Sequence, residues 1–259
     1  MNIFDLSGRV AVITGGNGGI GLGIAQALNA SGCNVSIWGR NADKNKAAAA
    51  GMAKGPGKVD TCICDVADPA SVRDSMKATL DTFGRVDGCF ANAGIGGGGR
   101  RAFIDRSEEE WRKMFSTNLD GVFHVFQAAA RHMTERAEGG DAFGRLVATS
   151  SLASLFGTAR NEHYAATKAA INALCRALAV ELARYGVTAN AILPGWIKSD
   201  MTAGLMANDK FVANVMPRIP MRRFGEPTDF GGIAVYLMSK ASSYHTADCF
   251  VIDGGYTAF

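Results

Sequence analysis

Tyr164 and Lys168 stand four residues apart in a stretch whose apolar residues recur at helical spacing, so both side chains project from one helix face. A free phenol has a pKa near ~10 and is a poor acid–base catalyst at neutral pH. A nearby ammonium group in a partly desolvated site stabilises the phenolate and lowers the pKa of the phenol. The pair therefore predicts proton transfer, although the same spacing is also common on amphipathic helices that do no chemistry.

A serine precedes this helix at the end of an apolar strand, in Ala148-Thr-Ser-Ser151. The Ser151 hydroxyl could hydrogen-bond a carbonyl or an alkoxide while negative charge develops on its oxygen. His163 adjoins Tyr164 and so faces away from it on a helix, and no histidine–carboxylate arrangement is found that would make the serine a nucleophile. Ser151 is therefore predicted to orient a substrate oxygen atom.

Glycines cluster just after the predicted strand Val10–Thr14, where a helix begins. Gly16, Gly18 and Gly21 form a GxGxxG pattern in the strand–turn–helix context that gives this pattern its meaning. Glycine lets the backbone approach a pyrophosphate, and the helix N-terminus offers free N–H groups and a partial positive charge. We therefore predict a dinucleotide phosphate loop; the alternative interpretation is a flexible turn.

The second strand ends in Trp38-Gly39-Arg40-Asn41, where a carboxylate would be expected to bind the ribose 2′-hydroxyl of NAD(H). No carboxylate stands there, and the guanidinium of Arg40 could hold a 2′-phosphate instead. The sequence thus favours NADP(H) and leaves NAD(H) possible. The alternative is that Arg40 is an ordinary solvated arginine.

These residues need a scaffold, and apolar runs alternate with amphipathic stretches along the whole chain. This order predicts an α/β fold: one doubly wound parallel sheet of about seven strands with helices on both faces. No linker, repeat or low-complexity tract interrupts the pattern, so residues 1–259 are expected to form a single domain. The predicted strands are Val10–Thr14, Asn34–Trp38, Val59–Asp65, Val86–Ala91, Arg145–Ser150, Val187–Leu193 and Cys249–Ile252.

Capping residues set several of the predicted helix ends. Residues 195–224, rich in Met, Arg and Pro, are predicted to be irregular and to form a mobile segment that covers the substrate. The predicted helices are one carrying Ile20, Ile24 and Leu28, one near Asp43–Met52, one from Asp68-Pro69 to Gly84, one from the capping box Ser107–Glu110 towards Met133, His163–Tyr185, and a last one from Glu226-Pro227 to about Ser239.

Composition excludes several classes of protein. The chain is 47% hydrophobic and 20% charged, with a net charge of +3 spread along its length, which argues against disorder and against a nucleic-acid partner. No apolar run is long enough to span a membrane and the first residues do not read as a signal peptide, so a soluble, cytoplasmic protein is expected. The six cysteines and four histidines keep no ligand spacing, which predicts no metal site and no disulfide framework.

Taken together, the motifs resemble the short-chain dehydrogenase/reductase family over nearly the whole chain. Ser199 stands where the family usually has threonine, and otherwise no catalytic position is missing. The family motifs match the chain at Thr14, Gly15, Gly19 and Gly21 (TGxxxGxG), Asp65-Val66 beside the adenine, Asn92-Ala93-Gly94 (NAG), the helix asparagine Asn118, Ser151, Tyr164, Lys168, and Pro194-Gly195 followed by Ile197 and Ser199.

The resemblance implies a Rossmann-fold enzyme whose catalytic residues are Asn118, Ser151, Tyr164 and Lys168. The asparagine would interrupt its helix, and its main-chain carbonyl would hold a water linked to the lysine. A homotetramer, less often a dimer, is also implied, with the helices at Ser107 and His163 packing between subunits. With Arg40 added from the strand-end argument, the expected cofactor-binding residues are Gly15, Asn17, Gly19, Ile20, Gly21, Arg40, Asp65, Val66, Asn92, Ala93, Gly94, Tyr164, Lys168, Pro194, Gly195, Ile197 and Ser199.

The expected function is an NAD(P)-dependent oxidoreductase that moves a hydride between nicotinamide and a carbonyl/secondary alcohol pair, similar to 3-oxoacyl reductases. Two alternatives stay open: a sugar, sugar-acid or cyclic-alcohol dehydrogenase of the same family, and a non-catalytic nucleotide-binding scaffold. Five arginines near the predicted substrate walls suit a substrate with an anionic remainder, unless they are solvated or make subunit contacts. They are Arg100, Arg101, Arg218, Arg222 and Arg223.

Overall fold

Seven parallel strands form one sheet in the order β3-β2-β1-β4-β5-β6-β7. The structure, a computed structural model, describes residues 2–97 and 101–258. The doubly wound α/β architecture predicted from the sequence is confirmed. The strands are β1 Val10–Thr14, β2 Asn34–Gly39, β3 Val59–Ile63, β4 Gly88–Ala91, β5 Gly144–Thr149, β6 Val187–Pro194 and β7 Cys249–Ile252.

Helices cover both faces of the sheet, and two hydrophobic clusters fill the space beneath them. One face packs Ile24 and Leu28 of α1 with Phe230, and the other packs Phe126 of α5 with Ile171 of α6. Within the described residues the helices are α1 Gly19–Ala30, α2 Ala42–Met52, α3 Pro69–Phe83, α4 Glu108–Phe115, α5 Gly121–Glu138, α6 Glu162–Leu182, α7 Ala203–Met206, α8 Asp209–Val215 and α9 Gly231–Met238.

The strand order reverses between β1 and β4, whose neighbours continue in opposite directions across the sheet. At such a switch point the loops leaving the two strands part to opposite faces, and a crevice opens at their carboxyl ends. Val12 of β1 pairs with Cys89 of β4, which brings the residues after Thr14 and after Ala91 to the same crevice.

Local signals set several helix ends as predicted. The Asp68 side chain accepts a hydrogen bond from the Ala70 N–H at the start of α3, and Gly84 ends that helix in the left-handed region at φ 73°. Ser107 and Glu110 form the reciprocal capping box that begins α4.

The helix predicted from Ser107 towards Met133 is not continuous. It is broken by a π-helical turn, Ser116–Asp120, which separates α4 from α5. The turn coincides with Asn118, whose side chain is fully buried and bonds to the backbone of Ile95. A helical interruption of this kind typically marks a functional position.

Two further expectations are corrected. Residues 195–224 are not wholly irregular, because α7 and α8 lie within them: the Asn208 side chain caps α8, and Phe211 packs edge-on against Trp196. The last helix does not start as α-helix at Pro227; a 3₁₀ turn, Pro227–Phe230, precedes α9.

No helix among the described residues is long and apolar enough to cross a membrane. Within the same part of the chain, no group of three His, Cys, Asp or Glu side chains is placed to hold a metal ion. Cys62 and Cys64 are buried free thiols of the core, and burial raises the pKa of both.

A buried carboxylate anchors the amino end of β4. Asp87 is fully buried, and its Oδ1 lies 2.6–2.9 Å from guanidinium nitrogens of Arg9, Arg85 and Arg136. The Val10 N–H donates to Oδ2 at 3.0 Å. Burial alone would raise the pKa of Asp87, but these hydrogen bonds and charges outweigh it and hold the pKa below its ordinary value. Asp87 therefore joins β1, β4 and α5 through one charge.

Asp87→Asn should lower the free energy of unfolding at pH 7 by about 3–5 kcal/mol, because three guanidinium groups lose their shared carboxylate. The carboxylate stabilises the fold above the pKa of the unfolded chain, and its contribution disappears as pH falls through the lower folded-state pKa. Urea unfolding should thus show the gap between wild type and variant narrowing below about pH 4. Asp81→Asn, at an exposed pair with Lys77, is the control and should change stability by less than about 1 kcal/mol. Equal losses in both variants would contradict the assignment.

Candidate active site

A cavity of about 570 Å³ opens at the carboxyl ends of β1, β4, β5 and β6. Two predicted site residues, Gly21 and Asn118, do not line it and lie behind its wall. The predicted residues that line it are Gly15, Asn17, Gly19, Ile20, Arg40, Asp65, Val66, Asn92, Ala93, Gly94, Ser151, Tyr164, Lys168, Pro194, Gly195, Ile197 and Ser199.

The glycine loop between β1 and α1 adopts the geometry that only glycine reaches easily. Gly15 and Gly19 have φ of +64° and +49°. Gly21 lies so close to the loop that a Cβ on it would fall 2.3 Å from the Gly15 carbonyl oxygen. No side chain caps the helix at Gly18, and no acidic residue occupies its first turn. The first N–H groups of α1 are therefore free to bind an anion.

Thr14 ties this loop to the end of β4. Its side chain, 1% exposed, accepts hydrogen bonds from the backbone N–H groups of both Asn92 and Ala93 at 3.0 Å. The Asn92 amide donates to the Thr14 carbonyl at 3.1 Å and accepts from the Thr149 hydroxyl at 3.1 Å. The ends of β1, β4 and β5 are thus held in one polar network, and the NAG segment is part of it.

Lys168 extends from α6 to the end of β5. Its Nζ donates to the Thr149 carbonyl at 2.7 Å and lies 5.5 Å from the centre of the Tyr164 ring. The Ser150 hydroxyl donates to the Lys168 carbonyl at 2.9 Å, which fixes the helix against the strand. Gly94 passes close to the ammonium: a Cβ on Gly94 would be 3.8 Å from Nζ.

Burial moves the two titrating groups in opposite directions. The pKa of Lys168 falls to about 8, because burial disfavours the ammonium. The pKa of Tyr164 rises above its ordinary value for the same reason, and the nearby Ser151 hydroxyl offsets part of that rise. This direction is opposite to the lowered pKa of the phenol predicted from the Tyr164–Lys168 pair, because burial outweighs the other influences on the phenol. In this state the phenol carries its proton at neutral pH and can donate it.

Asn118 clamps the loop that follows β4. Its Oδ1 accepts from the Ile95 N–H at 2.8 Å, and its Nδ2 donates to the Ile95 carbonyl at 2.9 Å. The side chain is therefore engaged in holding the loop, so any role of Asn118 towards water or substrate has to come from its main chain. The π-helical turn, Ser116–Asp120, is where this main chain departs from regular helix.

Two basic side chains line the opposite end of the cavity, and each faces a carboxylate. Arg40 Nη1 lies 3.9 Å from Asp65 Oδ2, with both side chains largely exposed. Lys44 Nζ lies 2.8 Å from Asp200 Oδ2. Both cations are positioned at the exposed rim, where an incoming phosphate could exchange with the carboxylates.

Four of the five arginines expected at the substrate walls are described by the structure, and none of these four lines the cavity. Arg223 is bound by Asp229 through contacts of 2.6 and 2.8 Å, and Arg218 lies over the Tyr256 ring. Arg222 donates to the Pro217 carbonyl, and Arg101 faces Glu110 at 3.8 Å. Arg100 and the neighbouring Gly98 and Gly99 lie outside the described residues.

Sequence reasoning missed several residues of the cavity. Thr149 ends β5 and Ser150 follows it, so position at the end of a strand was a usable signal, whereas Met201 and Thr202 lie in the longer segment beyond β6. Lys44 lies in the first turn of α2, where nothing in the local sequence distinguishes it from a solvated lysine.

Comparison with known proteins agrees with this geometry. Residues 15–257 match a family model described as enoyl-(acyl carrier protein) reductase. A short-chain type dehydrogenase/reductase from Mycobacterium marinum superposes with a TM-score of 0.92 at 36% identity, over 100% of this chain and 99% of that one. This chain is a short-chain dehydrogenase/reductase. The resemblance inferred from the motifs is thereby confirmed.

Two further relatives of this short-chain dehydrogenase/reductase carry named activities. A 3-oxoacyl-(acyl-carrier-protein) reductase of Chlamydia pneumoniae is 35% identical over 253 residues, covering 97% of this chain and 98% of that protein. The structure of a gluconate 5-dehydrogenase from Burkholderia cenocepacia, in complex with NADP and tartrate, superposes with a TM-score of 0.92 at 32% identity, over 100% and 98% of the two chains. Like its relatives, the enzyme is an NAD(P)-dependent oxidoreductase that acts on an alcohol/carbonyl pair.

The enzyme's value of kcat/KM for NADPH should fall as pH rises through about 8, because Lys168 loses its charge there and kcat/KM reports ionisations of the free enzyme. Lys168→Met should give a lower kcat/KM that no longer falls between pH 7 and 9. Lys113→Met, an exposed lysine on α4, is the control and should keep the wild-type profile. An unchanged alkaline fall in Lys168→Met would assign the titration to another group.

Proposed function

We propose that the enzyme interconverts a ketone and a secondary alcohol with NADP(H), and that a 3-oxoacyl thioester is the first substrate class to test. The observation that carries this proposal is the shared cavity: Ser151, Tyr164 and Lys168 line the same space as the phosphate loop. A non-catalytic scaffold would not need a buried lysine and a protonated phenol side by side in that space. Turnover of any carbonyl substrate by the purified chain distinguishes an oxidoreductase from a non-catalytic scaffold.

Each side chain of the triad has a separate task in this proposal. A bound NADP(H) supplies or accepts the hydride. Ser151 orients the substrate oxygen, and Tyr164 donates its proton to that oxygen in the direction of reduction. Lys168 is held by the Thr149 carbonyl, binds the ribose hydroxyls and biases the phenol by its positive charge.

Asn118 is proposed to serve proton exchange with solvent through its main-chain carbonyl. Its side chain already binds Ile95 in both directions, and the π-helical turn displaces the backbone from the regular hydrogen-bond ladder. A water on that carbonyl would connect Lys168 to solvent, as the family resemblance implies.

The cofactor fits the residues at both ends of the cavity. The open N-terminus of α1 suits the pyrophosphate, and Asp65-Val66 is proposed to border the adenine. Gly39 presents no carboxylate to a 2′-phosphate, whereas Arg40 and Lys44 present two cations at that end. This arrangement supports NADP(H) over NAD(H).

Two substrate classes deserve direct comparison. Relatives with about equal similarity are named for reduction of a 3-oxoacyl thioester and for oxidation of gluconate. Because Arg101, Arg218, Arg222 and Arg223 do not line the cavity, the case for an anionic substrate is weaker than the sequence alone indicated. Rates with acetoacetyl-CoA and NADPH, against gluconate and NADP⁺, decide between the classes. Activity with the second pair alone would replace the first proposal.

Three further features complete the proposal. Residues 195–224 are proposed to act as a mobile cover over the substrate, since Ser199, Asp200 and Met201 line the cavity. A homotetramer is proposed from the family resemblance, and Phe123 on α5 and Val180 on α6 are exposed apolar side chains on the two long helices that would pack between subunits. Function in the cytoplasm stays a prediction of the sequence.

Tyr164→Phe should lower kcat by about 10²–10⁴-fold, because it removes the proton donor and keeps most of the ring. The Kd for NADPH, measured by fluorescence titration, should change by less than about threefold, since the other expected cofactor-binding residues are unchanged. Tyr185→Phe, whose hydroxyl only accepts from Arg184, is the matched control and should keep wild-type turnover. Near-normal turnover of Tyr164→Phe would exclude this phenol as the acid.

Arg40→Ala should weaken NADPH binding by about tenfold and NADH binding by less than about twofold, because a charge-assisted contact to phosphate at an exposed site is worth little more than that. Calorimetric Kd values for both cofactors measure the difference. Arg73→Ala, an exposed arginine on α3, serves as the control. Equal losses for the two cofactors, or tighter binding of NADH by wild type, would refute the 2′-phosphate contact.

A further inference from the structure

Position 39, at the end of β2, has no space for any side chain. A Cβ added to Gly39 would lie 2.3 Å from Asn17 Nδ2 and 2.5 Å from Asn45 Oδ1. The backbone of Gly39 is not left-handed, so conformational freedom does not explain the glycine there. What excludes a larger residue is the pair of amide side chains packed against it.

Asn17 by itself would be a weak obstacle. It lies in the phosphate loop and lines the cavity, where a short side chain could rotate away from a new neighbour. Its Nδ2, however, donates a hydrogen bond of 2.6 Å to Asn45 Oδ1. Turning Asn17 aside would break this bond and leave Asn45 Oδ1 without its partner.

Asn45 is the fixed member of the pair. It lies on α2 with 1% of its surface exposed, and its Nδ2 donates both hydrogens, to the Gly39 carbonyl at 2.9 Å and the Cys62 carbonyl at 3.0 Å. One side chain therefore joins the ends of β2 and β3 to the phosphate loop. Its rotation would break both of these hydrogen bonds, although the Gly39 carbonyl keeps a second donor, the Cys64 N–H at 3.3 Å.

We propose that Asn45 is a specificity-determining residue for the cofactor: by fixing Asn17 against the end of β2, it closes position 39 to every side chain. A carboxylate at this position is what a ribose 2′-hydroxyl requires, and the same carboxylate would repel a 2′-phosphate. Selectivity thus has two components. The first is the pair of cations at the rim, Arg40 and Lys44; the second is a steric lock, Asn17–Asn45–Gly39, that excludes a carboxylate from position 39. The effect on cofactor selectivity rests on the NADP(H) preference proposed above. The exclusion of side chains from position 39 does not, because it follows from packing alone.

The lock is tested first without any cofactor. Gly39→Ala should lower the Tm by about 3–10 °C in the wild-type background, because the added methyl meets two pinned amides. In the Asn45→Ala background the same substitution should cost less than about 2 °C, since Asn17 is then free to move. Gly51→Ala on α2, where a Cβ meets nothing within 4 Å, is the control in both backgrounds. If Asn45→Ala does not fold, Asn17→Ala replaces it: the nearer of the two atoms is then gone, so Gly39→Ala should cost less than in wild type, although the contact with Asn45 Oδ1 at 2.5 Å remains.

The consequence for selectivity is tested with NADH, NADPH and 2′,5′-ADP as calorimetric probes. Gly39→Asp alone should bind all three more weakly than wild type, with no gain for NADH. Gly39→Asp/Asn45→Ala should bind NADH at least about tenfold more tightly than Gly39→Asp does, and 2′,5′-ADP more weakly than wild type does. A purely structural role of Asn45 would shift all three affinities together.

Two results would overturn the proposal: an equal cost of Gly39→Ala in both backgrounds, or a gain in NADH binding by Gly39→Asp alone. Failure of the proposed NADP(H) preference gives a different result, tighter binding of NADH than of NADPH by wild type. The Tm comparison uses no cofactor and is unaffected by that outcome, so the two failures are distinguishable.

Discussion

The Thr14 hydroxyl accepts hydrogen bonds from two consecutive backbone N–H groups, those of Asn92 and Ala93, and the geometry of the cavity depends on this contact. Parallel strands leave their carboxyl ends without further ladder bonds, so the loops beyond them need other partners. Here the partner is a threonine side chain at the switch point of the sheet. Asn92 then transmits the constraint to Thr149, and Thr149 to the ammonium of Lys168. A single chain of bonds thus connects the glycine loop after β1 to Lys168.

The same chain of bonds explains why a lysine can be buried beside a phenol. Burial disfavours both charged forms, which lowers the pKa of Lys168 and raises that of Tyr164. The Thr149 carbonyl compensates part of the cost for the ammonium, because its dipole points at Nζ from 2.7 Å. The site therefore holds a protonated phenol and a positive charge at buried positions, where each interaction with a substrate oxygen counts for more than it would in solvent.

The sequence predicted the fold well wherever short-range physics decides the outcome. Strand β1 has five buried residues, four of them apolar, and helix α3 has Asp68 at one end and Gly84 at the other, so the limits of both elements are set by their own residues. The local sequence pattern did not predict the break in the helix after Ser107. The π-helical turn there contains Asn118, whose side chain bonds to the backbone of Ile95, a residue distant in sequence. Asn45 shows the limit most clearly: in an Ala/Lys-rich helix it reads as a surface residue, and only the folded chain shows the two carbonyls it satisfies.

The charge cluster at Asp87 and the polar network at Asn92 lie at opposite ends of one short strand, β4. The amino end, at Asp87, contributes to stability and contains no residue that lines the cavity. The carboxyl end, at Asn92, fixes the positions of residues that do line it. Changes that weaken or strengthen the arginine cluster can therefore accumulate without altering the substrate pocket. In evolutionary terms, stability gained at the amino end of the sheet can offset the stability lost through substitutions at the carboxyl end. Substitutions of that second kind are the ones through which a new substrate is acquired.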